Sequence, residues 1–270
     1  MDNNQYDSIM RGIAGLSGKL DEVKEHMAAL DTAFVELRED LTMPFITSVS
    51  PGTPGKVKDR NLKPMPTEIE ARLNQALSDA EGGSTILAYC DGSVACQGSG
   101  DQASGSAAIS YHCGHLTVQG EQTMGGTNNV GELTAIKIAM EGIIKNFDVY
   151  KERAIEDGIH PIEKIVIVSD SQYALNVIRG TYNATANIGL INECKAAYGE
   201  LQELLGYDSV DLEWVRGHAG NPMNVLADFY AGRAGLGTSI GAWYFERPAD
   251  VSAAEFLVDC ALKVKAGTAL

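Results

Sequence analysis

The feature that most constrains the fold is a pair of apolar segments that each lead into an aspartate. Residues 165–168 form an unbroken β-branched run, and Asp170 follows them after one serine. The segment STILAYC leads in the same way into Asp91. Such runs are typical of strands covered on both faces, as in a parallel sheet with helices on each side. The sequence therefore predicts an α/β fold, with an acid that is costly to bury unpaired at the end of each strand.

Strand and helix patterns alternate around these two segments. An apolar helical face begins near Asn128 or Asn129, either of which could cap the helix, and a closing helix carries Pro222 in its first turn. The predicted order is β-β-β-α-β-α-α-β-α, which describes a mixed sheet with helices on its faces. The predicted elements are three strands within 84–122, a helix over 128–147, a strand over 164–169, helices to 178 and over 188–205, a strand over 209–215 and a helix over 221–235.

Two further acids are placed to join Asp91 and Asp170. Glu132 lies in the first turn of its helix, four residues before Ile136, and therefore on the apolar, inward face. Asp228 borders the apolar face of the closing helix. Each acid alone could be a turn residue or a partner of a helix dipole. Together they would repel one another, and a divalent cation relieves that repulsion; oxygen ligands without Cys or His spacing favour Mg²⁺ or Mn²⁺ over zinc.

Four sequence blocks, in order, resemble the successive motifs of type 1 ribonuclease H. They are DGS at 91–93, TNNVGEL at 127–133, SDSQYAL at 169–175 and WVRGHAGNPMNVLAD at 214–228. The resemblance covers about residues 84–235, and four motifs in order on the expected elements are a specific signal. It implies a ribonuclease H-like fold, in which a five-stranded mixed sheet has its second strand antiparallel to its neighbours and is flanked by helices.

The resemblance also implies roles for single residues. Asp91, Glu132, Asp170 and Asp228 match the family's metal-binding catalytic carboxylates, and His218 matches its mobile-loop histidine. The implied reaction is endonucleolytic hydrolysis of the RNA strand of an RNA–DNA hybrid, which leaves 5′-phosphate and 3′-hydroxyl ends. Two Mg²⁺ ions, or Mn²⁺, ~3.5–4 Å apart would be the cofactors. The positions matched to substrate contacts are Gln97, where the family commonly has Asn, and Thr127, Asn128, Asn129, Gln172 and Asn224.

The charge of this region departs from the family pattern. Residues 84–236 hold nine Lys and Arg against eighteen Asp and Glu, and residues 180–210, where the family often has a Lys- and Trp-rich handle, hold one Lys, no Arg and no Trp. Such a surface offers few cations to the phosphates of a nucleic acid, so we expect it to bind a polyanion weakly. The aromatic residues Trp243, Tyr244 and Phe245 could add affinity by stacking on bases, although packing against the domain is the commoner role.

The flanking segments complete the predicted domain map. Apolar residues spaced alternately by four and three predict a long N-terminal helix over 1–42. We expect residues 5–42 of this helix to form a coiled coil and so to make the protein a homo-oligomer. The alternative is a helix that packs on its own domain. A Pro/Gly-rich linker, 43–66, carries Lys56, Lys58, Arg60 and Lys63 and is either solvated or a strap on phosphates. The remaining units are a helix over 67–82 with a Thr67–Glu70 capping box, a catalytic domain over 84–236, and an extension over 237–270 with a helix capped by Ser252 and Glu255.

The composition of the chain limits its setting. The formal net charge of −15 argues against a protein that coats nucleic acid by charge alone. The five cysteines form no CxxC pair, and no apolar run approaches the ~20 residues of a membrane helix, so we expect a cytoplasmic protein without a membrane partner. Two other functions stay open: a nuclease of the same fold that cuts DNA, and a non-catalytic hybrid-binding scaffold assembled by its coiled coil.

Overall fold

A computed structural model describes residues 65–96, 102–156, 161–267 and 270. The predicted coiled coil, almost all of the linker and Gln97 lie outside the described residues. The strands are β1 (Thr85–Cys96), β2 (Gln102–His112), β3 (His115–Met124), β4 (Lys164–Ser169), β5 (Val210–Trp214) and β6 (Ile240–Glu246). The helices are α1 (Thr67–Glu81), α2 (Asn128–Lys145), α3 (Phe147–Glu156), α4 (Gln172–Arg179), α5 (Ile188–Leu205), α6 (Pro222–Gly235) and α7 (Ala253–Lys265), with a 3₁₀ turn at Tyr207–Ser209.

The strands form one mixed sheet in the order β5-β4-β1-β2-β3-β6. Strands β1, β4 and β5 are parallel, and β2 is antiparallel to β1 and β3, which confirms the mixed sheet and the antiparallel second strand. The predicted count of five strands is wrong, because β6 adds a sixth at the edge. It runs antiparallel to β3 from His115 opposite Glu246 to Gly120 opposite Ile240, with an irregularity after Val118.

The core occupies both faces of the sheet. In β1, Leu87 and Tyr89 point to a cluster shared with α1, α6 and α7, whereas Ile86, Ala88 and Cys90 point to a cluster shared with α2, α3, α4 and α5. This alternation follows the two-residue period of a strand, and it makes a three-layer α/β arrangement. Among the described residues, no helix combines the length and the apolar character that a membrane span requires.

Two predicted helix caps are wrong and one is confirmed. Thr127, rather than Asn128 or Asn129, caps α2, and its hydroxyl accepts the Val130 N–H at 3.4 Å. Helix α1 starts directly after Pro66 without a side-chain cap, because Thr67 already lies inside the helix. The predicted capping box of Ser252 and Glu255 is present at the start of α7. Helix α3 was not predicted.

Candidate active site

Sheet register brings two of the predicted acids to one edge. Cys90 of β1 lies opposite Ser169 of the parallel strand β4, so Asp91 and Asp170 follow at the same end of neighbouring strands. Glu132 reaches this edge from the first turn of α2. Ligand oxygens of Asp91, Glu132 and Asp170 all lie within 4.8 Å of one another. The structure thus assembles a compact group of three carboxylates, of which Asp91 and Glu132 are each only 5% exposed.

The residue after Asp91 allows α2 to approach this closely. A Cβ atom at Gly92 would lie 2.2 Å from the backbone nitrogen of Glu132, which no side chain could tolerate without a shift of the backbone. The Ser106 hydroxyl of β2 donates to the Gly131 carbonyl at 3.0 Å and ties the same turn of α2 to the sheet. The Asp–Gly pair therefore supplies both the acid and the space in which its partner acid sits.

The loop after β5 holds Asp170 from the other side. The Trp214 indole N–H donates to the Asp170 carbonyl at 3.1 Å, which ties the backbone of this aspartate to β5. A Cβ at Gly217 would lie 2.3 Å from Asp170 Oδ2, so the loop backbone packs directly against the carboxylate. Arg216, between them, stacks its guanidinium over Trp214 at 5.5 Å. The carboxylate of Asp170 consequently has little room to move.

Burial and mutual repulsion raise the pKa of all three acids. Burial, with the charges of Asp170 and Asp228, raises the pKa of Asp91 to about 8. Burial, with the charges of Asp91 and Asp170, raises the pKa of Glu132 to about 9. The pKa of Asp170 is also raised, chiefly by burial and then by Asp228, against an opposing effect of His218. The ionised form of the group is therefore destabilised by burial and by mutual repulsion, and a positive charge placed among its oxygens would stabilise it.

Asp228 and His218 lie at the rim rather than inside the group. Their side chains are 50% and 69% exposed, and His218 Nδ1 lies 3.9 Å from Asp228 Oδ2. His218 adopts a positive φ of 55°, which is uncommon for a residue with a side chain. Asp228 couples to the group through its charge, but it is not one of the three acids that converge within 4.8 Å.

The positions matched to substrate contacts fall into two groups. Thr127, Asn128 and Asn129 are exposed at the start of α2, the helix that carries Glu132, and Gln172 is exposed at the start of α4, two residues after Asp170. The Asn128 amide also donates to Glu132 Oε1 at 3.4 Å. Asn224, in contrast, is 3% exposed, and it lies one turn before Asp228 on α6.

Sequence reasoning missed Asn221, which connects two parts of the site. Its side-chain oxygen accepts the Asn224 N–H at 3.2 Å and caps α6, and its amide donates to the Tyr89 hydroxyl at 3.1 Å. Tyr89 lies two residues before Asp91, so this contact joins the helix that carries Asp228 to the strand that carries Asp91. The Asn–Pro pair at the helix start was the signal that could have revealed it.

The three carboxylates fit a divalent cation. Glu132 Oε2 is buried and has no hydrogen-bond partner among the described residues, although a buried charged oxygen without a partner is costly. Only oxygen ligands converge there, without His or Cys, which is the donor set of Mg²⁺ or Mn²⁺ and unlike that of zinc. Asp91, Glu132 and Asp170 are therefore the residues that could hold a metal ion, with Asp228 beside them.

Comparison with known proteins gives a consistent family match. The family model described as RNase H matches residues 83–235, more than half of the chain. The chain is 29% identical over 174 residues to a ribonuclease H of Pelobacter propionicus, an alignment that covers 62% of this chain and 95% of that protein. It is 29% identical over 161 residues to a ribonuclease H of Ruegeria sp., with 56% and 90% covered.

This chain is also similar to solved structures of low sequence identity. RNase H1 from the halophilic archaeon Halobacterium salinarum is 23% identical to this chain. The match covers 57% of this chain and 99% of that one, with a TM-score of 0.35.

Proposed function

The chain belongs to the ribonuclease H family of nucleases, and from that premise we propose that it hydrolyses the RNA strand of RNA–DNA hybrids. The observation that carries the proposal is the group formed by Asp91, Glu132 and Asp170 at the end of β1 and β4, in which one oxygen from each carboxylate lies within 4.8 Å of the other two. Glu132 keeps one buried oxygen without a partner among the described residues, as expected of a metal ligand. A scaffold that only bound hybrids would need no such group.

The proposed chemistry divides between the metal ions and the chain. Two divalent cations held by these carboxylates and Asp228 would activate the attacking water and stabilise the leaving 3′-oxygen, which would give 5′-phosphate and 3′-hydroxyl ends. Asp91 and Glu132 hold fixed positions because β1 and α2 are packed at Gly92. The fixed carboxylates would therefore hold the cations in place, and the cations in turn would orient the reacting phosphate.

His218 is proposed to move protons at the rim of the site. Its imidazole is mostly exposed and lies beside Asp228, so it can exchange protons with solvent and with a departing product. An imidazole can both donate and accept a proton, which suits this role. The exposed start of α2, with Thr127, Asn128 and Asn129, is proposed to contact the sugar–phosphate backbone of the hybrid.

The proposal is tested by one substrate panel. Labelled RNA–DNA hybrid, duplex DNA and duplex RNA are incubated with the full chain and Mg²⁺ or Mn²⁺, and products are resolved with markers for their end groups. We expect cleavage of the hybrid alone, with 5′-phosphate and 3′-hydroxyl products. Cleavage of duplex DNA would instead favour a DNA nuclease, and no cleavage of any substrate would favour a scaffold.

A matched pair of variants on α2 completes the panel. Glu132→Gln removes the buried charge of the group, and Glu141→Gln makes the same change on an exposed residue of the same helix. We expect the first to lower hybrid cleavage by ~10²-fold or more and the second to leave it within about twofold.

A further inference from the structure

A cavity lies on the sheet face that α2 and α3 cover, next to the added strand β6. Its volume is about 170 Å³. The residues that line it include Gln119 of β3, Asn146, Tyr150 and Arg153 of the α2–α3 region, and Tyr244 of β6. Tyr244 lies beyond the residues that the family model matches. The wall that it contributes is therefore a feature of the C-terminal extension.

This cavity is remote from the carboxylates. Glu132 lies in the first turn of α2, and Asn146 is the residue that ends this helix. Asn146 follows Glu132 by fourteen positions, which correspond to ~21 Å along the axis at ~1.5 Å per residue. The cavity and the candidate active site consequently lie at opposite ends of α2, and a ligand in one does not occupy the other.

Arg153 gives the cavity a cation. In the part of the chain that the structure describes, its guanidinium forms no ion pair and no hydrogen bond, whereas the neighbouring Lys151 is paired with Asp148 at 2.6 Å. Residues 84–236 are strongly acidic overall. A half-buried guanidinium that lines a cavity is a favourable position for an anion, above all for a phosphate that can accept two parallel hydrogen bonds.

Two carboxamides and two tyrosine rings complete the walls. A Cβ at Gly142 would lie 2.3 Å from Gln119 Oε1, so the absent side chain makes space for the Gln119 amide. The Asn146 amide donates to the Gly142 carbonyl at 2.8 Å, and its oxygen stays free among the described residues. Tyr150 is 6% exposed and closes the cavity, whereas Tyr244 is 58% exposed and presents its ring at the mouth.

We propose that this cavity binds one nucleotide unit, with the phosphate at Arg153 and the base against Tyr244. The unit is either a free nucleoside monophosphate or one residue of a single strand, since both offer the same phosphate and ring. A pocket that encloses a drug-sized molecule has ~300–1,000 Å³. The cavity of about 170 Å³ instead suits one ring or phosphate, with the rest of the ligand outside.

The test is a binding titration of the full chain without divalent cations, so that the carboxylates attract no phosphate. The probes are adenosine monophosphate and a five-nucleotide single strand of deoxyadenosine, with inorganic phosphate and adenosine as references. The variants are Arg153→Gln, Tyr244→Leu and, as a matched control, Lys151→Gln, which changes a paired cation on the same helix.

We expect at least one of the two nucleotide probes to bind. Arg153→Gln should weaken that binding about tenfold or more, and Tyr244→Leu ~5-fold or more. Lys151→Gln should leave it within about twofold, and thermal unfolding should confirm that all variants fold. Binding of the monophosphate alone identifies a free nucleotide as the ligand, and binding of the strand alone identifies a strand residue.

Three results would overturn the assignment. They are no binding of either probe, binding that neither variant weakens, and binding of phosphate or adenosine as tight as that of the monophosphate. Because the titration excludes divalent cations and reads no cleavage, its outcome is independent of whether the chain hydrolyses hybrids.

Discussion

Without a bound cation, Asp91 and Glu132 are protonated near neutral pH. Burial and like charges raise the pKa of Asp91 to about 8 and that of Glu132 to about 9. Their ordinary values are 3.8 and 4.5. Between about pH 4.5 and pH 8 the folded protein therefore binds more protons than the unfolded chain does, so its free energy of unfolding falls as the pH rises.

This proton balance predicts the pH dependence of stability without metal. In the presence of a chelator, the midpoint temperature of thermal unfolding should decrease as the pH rises from 5 to 8. The decrease should be less steep in Asp91→Asn, which carries no titrating group at that position. Calorimetry across the pH range measures both slopes. Equal slopes for the wild type and the variant would show that Asp91 ionises in the folded state as an ordinary aspartate does.

Gly217 offers a test of how far positioning alone matters. In Gly217→Ala, the new Cβ would meet Asp170 Oδ2 at 2.3 Å and displace that carboxylate. We expect the rate of hybrid cleavage to fall ~10–100-fold, because shifts of about 1 Å in a reacting group have effects of this size. The control is Gly199→Ala on α5, where a Cβ would meet nothing within 4 Å. Similar cleavage rates for the two variants would contradict the expected effect.

At the scale of elements, the cap of α6 joins stability to the site. Asn221 both caps this helix and donates to the Tyr89 hydroxyl on β1. Asn221→Ala should lower the free energy of unfolding by ~1–2 kcal/mol, the usual cost of a lost cap. Asn221→Asp, which keeps the accepting oxygen of the cap, should lose less. Denaturant unfolding measures the difference, and an alanine variant as stable as the aspartate variant would contradict the capping role.

Elements whose pattern is local were predictable, and those defined by a distant partner were not. Helix α5 and the strand that precedes Asp170 lie where the apolar pattern predicts them, because burial imposes a regular period on the sequence. Glu132 was assigned correctly to the inward face of its helix for the same reason. The aromatic residues of β6, however, were not recognised as a strand, because its pairing with β3 joins residues more than a hundred positions apart.

The site shows the same division. The four acids and His218 could be proposed from the sequence because they follow strands or fall in motifs that can be read locally, and the structure brings three of the acids together. The close approach of α2 to Gly92, which sets the spacing of Asp91 and Glu132, depends on how two elements pack and leaves only a glycine in the sequence. The exposure of Asp228 likewise depends on how α6 is rotated about its axis against the sheet. The periodicity of apolar residues indicates which face of a helix is buried, but it does not fix the exposure of a residue at the border of that face.

At the scale of the whole molecule, the proposed function requires a chain of net charge −15 to hold a polyanion. Besides the aromatic residues 243–245, two sequence features could add affinity, namely the basic residues 56–63 and the heptad pattern of residues 5–42, and both of these lie outside the described residues. Assembly would raise the effective concentration of weak binding sites. These roles stay predictions.

Removal of residues 1–64 should therefore change two properties together. Light scattering should report a mass that falls to that of a monomer, and the affinity for hybrid should fall with a shallower dependence on salt, because fewer phosphates are neutralised. An unchanged mass would contradict self-association through residues 5–42. An unchanged salt dependence would contradict a contact between the basic linker and phosphates.

The central claim is that the buried carboxylate group cleaves the RNA strand of hybrids with the help of divalent cations. Its most direct test is the single-turnover rate of hybrid cleavage in Mg²⁺ for Asp91→Asn beside Asp211→Asn, a matched change at a half-buried aspartate that pairs with Lys164 on the same sheet. We predict a loss of ~10³-fold for Asp91→Asn and a rate within about twofold of wild type for Asp211→Asn. An Asp91→Asn protein that folds and cleaves within tenfold of the wild-type rate would contradict the claim.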